Sequence, residues 1–319
     1  MDGTRRLRWG YIDTAGRTAI DFRFDHASQF NEGLGLVRVG GLSGFIDKAG
    51  ETVIEPQFGD ESQPFFEGLA MVQAATGKCG YIERTGRYVI GPVYDWAMKF
   101  SEGIAVVRVA GKYGYITKDG RYLVEPQCED AGSFSEGHAS VYDGHRWYLL
   151  NASGEITFGP FGSASEFQGG VVSVWHEGGP ALLRSDGTVV PIRGVDWLSQ
   201  YFSGGRIEFS RSEKCGYMDR DGNAVIPPVY DQASTFTEGL AEVRLGSRWG
   251  YIDTDGVMVI EPRFDEASFF KGGLAYVEVH GKSRYIDRHG NVVLETGYKC
   301  GFPFREGLTP VYVEEAANP

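Results

Sequence analysis

Trp249-Gly250-Tyr251-Ile252-Asp253-Thr254-Asp255-Gly256 decides the reading of this chain, because most of it recurs. Its core returns as Trp9-Gly10-Tyr11-Ile12-Asp13, Ser43-Gly44-Phe45-Ile46-Asp47, Cys79-Gly80-Tyr81-Ile82-Glu83, Tyr113-Gly114-Tyr115-Ile116-Thr117 and Cys215-Gly216-Tyr217-Met218-Asp219. The period is close to 34 residues, and about nine copies fill the 319 residues. A fixed period of this size marks supersecondary units that cannot bury a core singly and must stack or close on one another. Residues 1–319 therefore read as a single array, with repeats five and six (about 145–213) divergent.

Working outward from the quoted stretch, Leu240-Ala241-Glu242-Val243-Arg244 alternates in the period-2 manner of a strand. Gly246-Ser247 turns the chain, Trp249–Ile252 is a second strand, and Asp253–Gly256 is the next turn. Met258-Val259-Ile260 forms a third strand that Pro262 is expected to end, since proline cannot donate to a ladder. Residues 264–270 return as a fourth short strand or a packed turn. The spacing Asp13/Gly16, Asp47/Gly50, Asp219/Gly222, Asp253/Gly256 and Asp287/Gly290 is turn chemistry: Asp caps local N–H groups and Gly accepts positive φ. The pairs Glu32/Gly33, Glu67/Gly68, Glu102/Gly103, Glu136/Gly137, Glu238/Gly239 and Glu306/Gly307 read in the same local way.

A column of Val37, Val72, Val107, Val141, Val174, Val243, Val277 and Val311 follows small or branched partners two residues earlier. That pairing predicts close packing between units. The intervening positions (Leu36, Met71, Val106, Ser140, Ser173, Glu208, Glu242, Tyr276, Pro310) vary freely and are expected to form the face open to partners.

The recurring pattern W/K-G-Y-I-D-x-x-G-x-x-V-I-x-P-x-Y/F-D-x-A-x-x-F-x-E-G-L-A-x-V resembles the bacterial WG repeat family, most fully at 9–37, 78–107, 214–243 and 248–277. The resemblance implies an all-β repeat array used as an interaction module, with no catalytic residue to carry over. Departures fall in repeats five and six. Asn151 and Arg184 stand in place of the turn Asp, Gly162 in place of the Asp of Tyr-Asp, and Ser203 or Gly204 in place of the Glu of Glu-Gly. Turn geometry is expected to weaken there. A propeller-like closed toroid is favoured, because the chain starts on a Trp-Gly strand and ends on the half-unit that elsewhere precedes it. The alternative is an open β-solenoid or superhelix, since 34 residues is short for a blade.

Composition narrows function mostly by exclusion. A net charge of −12 argues against nucleic acid and anionic membrane as partners and suits a basic one. Four cysteines without a CxxC or Cys/His spacing point to free thiols and no metal, with Cys79 and Cys215 substituting for core Trp. No apolar leader or spanning stretch is visible, so a cytoplasmic location is expected. The six histidines are scattered and no Walker loop, GxSxG or HExxH occurs, so no catalytic residue, metal or cofactor is expected. Trp175, His176, Glu177, Trp197, Tyr201 and Arg206 fall within about 30 residues of repeats five and six, and aromatic residues with Arg on an exposed face are the composition of interface hot spots. They are the expected partner-binding residues of a non-enzymatic scaffold or immunity-like protein. The alternative is a carbohydrate or small-ligand binder, or a glycan-active enzyme, working through carboxylates at a ring mouth.

Overall fold

The computed structural model describes residues 6–298 and 302–315. The described residues form strands and turns without a helix. Nine antiparallel sheets, eight of four strands and one of three, are the blades of a β-propeller built on the repeat. In the repeat quoted first, Leu240–Leu245 pairs with Arg248–Asp253 across the Gly246 turn, and Arg248–Asp253 pairs in turn with Met258–Phe264.

The last of these strands runs through Pro262 rather than stopping before it. It is the edge strand of its sheet, and its register with Arg248–Asp253 shifts between Trp249 and Tyr251, so no ladder donor is required of the proline. That irregularity also explains the glycine of Trp-Gly. A Cβ on Gly250 would lie 2.5 Å from the Ile260 carbonyl oxygen and 2.8 Å from the Pro262 nitrogen, closer than any side chain tolerates.

Where the motif carries Tyr, that side chain ties its repeat to the next, and only Phe45 lacks the hydroxyl among the regular repeats. Its hydroxyl donates to a carbonyl 17 residues on: Tyr11 to Ser28 and Tyr81 to Met98 at 2.7 Å, Tyr115 to Gly132, Tyr251 to Ser268 and Tyr285 to Phe302 at 2.8 Å, Tyr217 to Ser234 at 2.6 Å. Each ring also meets the phenylalanine that precedes the following turn, as Tyr217 meets Phe236 at 4.8 Å and Tyr81 meets Phe100 at 4.7 Å. These tyrosines are completely buried, so a repeat without its neighbour would expose the ring and leave the hydroxyl without its carbonyl acceptor.

The supposedly open strand face is not open. Leu36, Met71, Val106, Ser140 and Glu242 are buried alongside the Val column, and Ser173, Glu208 and Tyr276 are half-buried. Blades stack face to face, which covers both sides of their second strand, so variation at these positions is repacking between repeats. Exposed side chains are confined to strand ends, turns and the edge strand.

The chain divides into two compact units, one of Met1–Phe100 with Lys271–Pro319 and one of Ser101–Phe270. In the first, Arg6–Asp13 pairs with Leu308–Glu315 over eight residues, from Arg6↔Glu315 to Asp13↔Leu308, and on its other side with Thr18–Phe24. An open superhelix holds its first and last repeats apart and cannot make this sheet. The shared sheet closes the propeller. The second unit contains whole sheets within 130–161, 163–191, 197–230 and 232–264. There Leu149 and Leu182 occupy the tyrosine column, so the hydroxyl tie is missing in the divergent repeats.

Candidate functional site

Two departures from the repeat turn out to be one structural event. In regular repeats the Asp of Tyr/Phe-Asp holds a cation 17 residues earlier, as Asp25 holds Arg8 at 2.9 Å and Asp231 holds Lys214 at 2.5 Å; Asp95 pairs likewise with Lys78, and Asp265 with Arg248. Repeat five has Gly162 there, and a Cβ on it would stand 2.7 Å from Cδ1 of Trp175. The missing side chain makes room for the indole, which lies over the glycine backbone and stays about half exposed (48%).

Trp175 lines a cavity of about 300 Å3 together with Trp197, Pro180, Asp196, Ser165 and Gln200. Ser165 and Gln200 also line an adjacent cavity of about 220 Å3, with Trp147, Tyr201, Asp130 and Glu166. Trp197 (49% exposed) and Tyr201 (57%) come from the strand Trp197–Ser203, and Trp147 stacks on Tyr142 with ring centroids 5.3 Å apart. All of these lie within the second unit. Successive repeats thus supply three indoles, a phenol and three carboxylates to two adjoining hollows. That arrangement can clamp a flat or cationic group between aromatic faces while acceptors take its hydrogen bonds.

Trp175, Trp197 and Tyr201 are therefore brought together, whereas the other expected residues are not. His176 packs edge-on against Phe161 at 5.8 Å, with Nε2 3.7 Å from the Glu177 carboxylate, and Glu177 sits at φ 47° in the following turn. Neither lines a cavity. Arg206 stands at the other end of the strands, beside the Gly204–Gly205 turn. Its Nε donates to the Thr254 carbonyl at 2.8 Å, Nη1 to Gly205 at 3.1 Å, and Nη2 lies 3.7 Å from Asp255. Sequence reasoning missed Trp147, Asp130, Glu166, Asp196 and Gln200. Trp147 occupies the Trp-Gly column and so looked like core; the others carry no motif.

The Glu-Gly pairs do more than turn the chain. Their glutamates hold φ of 50–54°, each followed by a positive-φ glycine, and both N–H groups of such a turn point the same way. The carboxylate of one repeat caps the turn of the next. Glu102 accepts from Glu136 and Gly137 N–H at 2.7 and 2.8 Å, Glu136 from Gly169 and Gly170 at 2.6 and 2.8 Å, and Glu32 from Gly68 at 3.1 Å. In the first unit Glu306 accepts from Gly33 at 3.0 Å and from Lys48 at 3.0 Å, fastening the last turn to the first. The Asp turns are as expected, with Asp253 Oδ1 accepting from Asp255 and Val257 N–H. Asn151 makes the same two bonds to Ser153 and Glu155, so its turn is not weakened.

Two further acids lie between repeats, Glu242 buried and Glu208 half-buried. Burial pushes the Glu208 carboxyl up to about 7, against a hydrogen bond from the Cys215 thiol and with the charge of Glu242 adding to the rise. Burial raises Glu242 as well, and its Oε2 has no partner among the described residues. Cys79, Cys128 and Cys215 are free thiols, the first buried and the other two half-buried; Cys300 lies outside the described residues. Among the described residues no three His, Cys, Asp or Glu side chains stand together as a metal site would require, and no helix is long and apolar enough to cross a membrane.

Comparison with known proteins agrees with this anatomy. No curated protein matches the chain. Among solved structures it is similar to a crystal structure of the eukaryotic initiation factor, at 10% identity and TM-score 0.60, over 97% of this chain and 98% of that one. It also matches the computationally designed Ika8 protein (12% identity, TM-score 0.48, 83% and 93% coverage) and BamB from Moraxella catarrhalis (10%, 0.43, 90% and 95%). At 10% identity the likeness to the initiation-factor structure is one of fold. The model of the WG containing repeat matches residues 9–42, 44–78, 80–113, 113–147, 216–249, 249–282 and 284–315. The gap from 148 to 215 holds Trp175, Trp197 and Tyr201, while Asp130 and Trp147 come from the matched repeat before it. With well over half of its length matched, the chain belongs to the WG-repeat family.

Proposed function

We propose that this chain is a non-enzymatic, cytoplasmic interaction module that holds a basic protein segment in the paired cavities of its second unit. The observation that carries the reading is the convergence of Trp147, Trp175, Trp197 and Tyr201 beside Asp130, Glu166 and Asp196. Half-exposed indoles next to carboxylates favour a lysine or arginine side chain, attracted by the ring faces and the acids together. The chain's charge of −12 supports a partner of opposite sign. A scaffold and an immunity protein against a basic toxin both fit; the acidic charge favours the second. A saccharide is the rival occupant, favoured by the stacking surfaces of Trp175 and Trp197 flanked by Ser165 and Gln200.

Titrating tryptophan fluorescence with arginine- and lysine-bearing peptides, and separately with neutral oligosaccharides, discriminates the two. Trp175→Ala and Trp197→Ala are each expected to weaken peptide binding by ~1–3 kcal/mol. Arg244→Ala, in the Trp175 column of a regular repeat, leaves it unchanged, and every variant is first shown to keep its melting temperature. Binding that survives both tryptophan substitutions refutes the site. Binding of oligosaccharides alone refutes the protein partner.

A further inference from the structure

We infer that the turn Ser203-Gly204-Gly205-Arg206 is a docking site for a carboxylate brought by a partner. The molecule itself shows what such a turn binds. At Glu136–Gly137 and Gly169–Gly170 the paired N–H groups hold the two oxygens of the preceding repeat's glutamate at 2.6–2.8 Å. Gly204 and Gly205 have the same positive-φ geometry, at 61° and 75°. The residue that would supply their carboxylate is Gly169, which has none. Among the described residues neither N–H meets an acceptor, and both glycines are exposed.

A second, independent observation points to the same ligand. Arg206 occupies the column of Leu34, Leu69 and Leu240, so a cation replaces an apolar residue at the one turn described here whose predecessor glutamate and own glutamate are both gone. Its guanidinium lies against the turn through the Gly205 carbonyl, and its nearest acid, Asp255, is 3.7 Å away and highly exposed. Two convergent N–H groups beside a guanidinium make an anion site whose spacing is that of a carboxylate's two oxygens. The occupant is an acidic side chain or a free C-terminal carboxylate. None of Ser203, Gly204, Gly205 and Arg206 lines the aromatic cavities, so the failure of this site and of theirs are separate.

Backbone amide NMR tests it. Acetate at tens of millimolar is expected to move the Gly204 and Gly205 signals saturably, with acetamide inert. Gly169→Glu should move both signals without ligand and abolish the acetate response, since glutamate at the same φ caps the neighbouring turns; the Phe202 ring, 3.0 Å from the new Cβ, has to shift slightly. Arg206→Leu should weaken acetate about five-fold, the scale of one exposed ion pair. The inference is overturned if acetate leaves both amides unmoved, if folded Gly169→Glu responds like the parent, or if inorganic phosphate displaces acetate at lower concentration. Should Gly169→Glu not fold, an unchanged acetate affinity in Arg206→Leu overturns it. A C-terminally amidated peptide with one glutamate, against an acid-free peptide with a free C-terminus, then separates the two sources.

Discussion

Glu208→Gln is expected to stabilise this protein, and only above mildly acidic pH. The Glu208 carboxyl is pushed from its ordinary 4.5 up to about 7 by burial, and Glu242 of the following repeat adds to the rise. In the unfolded chain it ionises freely at its ordinary value. Between the two values the native state therefore binds more protons than the unfolded state, and stability falls as pH rises through that window. At 1.36 kcal/mol per pH unit, the full cost reaches ~3 kcal/mol above about pH 7.5 and disappears below about pH 4.5. Glutamine keeps the shape and an acceptor for the Cys215 thiol but never ionises, so it mimics the protonated acid. Urea unfolding followed by tryptophan fluorescence, repeated from pH 4.5 to 8.5, should show the variant gaining ~2–3 kcal/mol at pH 8 and nothing at the acidic end. A pH-independent difference, or a loss at pH 8, refutes the assignment of a neutral Glu208 in the native state.

Removing residues after Phe304 should lower the melting temperature far more than terminal fraying does, because it strips the strand paired with Arg6–Asp13 and leaves two open edges; a loss of only a few degrees contradicts closure. Gly250→Ala forces a Cβ into the Ile260 and Pro262 backbone and should cost ~2–3 kcal/mol in denaturant unfolding, against near neutrality at the exposed Gly91, where φ is ordinary and nothing lies within 4 Å. Tyr251→Phe removes the bond to the Ser268 carbonyl and should cost ~1–2 kcal/mol by the same assay. Mass spectrometry after native alkylation should find Cys79 protected and Cys128 and Cys215 modified slowly, with no disulfide among them.

The repeat, its strands and its Asp turns were legible because they depend on local rules: period-2 alternation, a carboxylate capping its own turn, a glycine where φ is positive. Trp175, Trp197 and Tyr201 were legible as departures from a repeated pattern. What stayed hidden depends on a second repeat. Leu36 and Met71 alternate as a half-exposed strand does, yet the neighbouring blade buries them. Glu102 looks like any turn residue until the N–H groups of Glu136 and Gly137 stand opposite it. The acceptors of the tyrosine hydroxyls are main-chain carbonyls, which no residue type announces. Arg206 was near Trp175 in number but at the far end of a strand in space, since adjacent hairpins reverse direction.

The sheet that unites residues 6–13 with 308–315 sets Arg6 opposite Glu315, so the two described ends of the chain sit side by side on neighbouring antiparallel strands. A short linker can join them there, and the chain can be cut instead at an exposed hairpin such as Gly246–Ser247. The resulting circular permutant keeps every ladder except the opened loop. Where the ring of ladders is opened is thus a free choice for the designer, and either unit can be given the free ends to carry a tag or a fused domain.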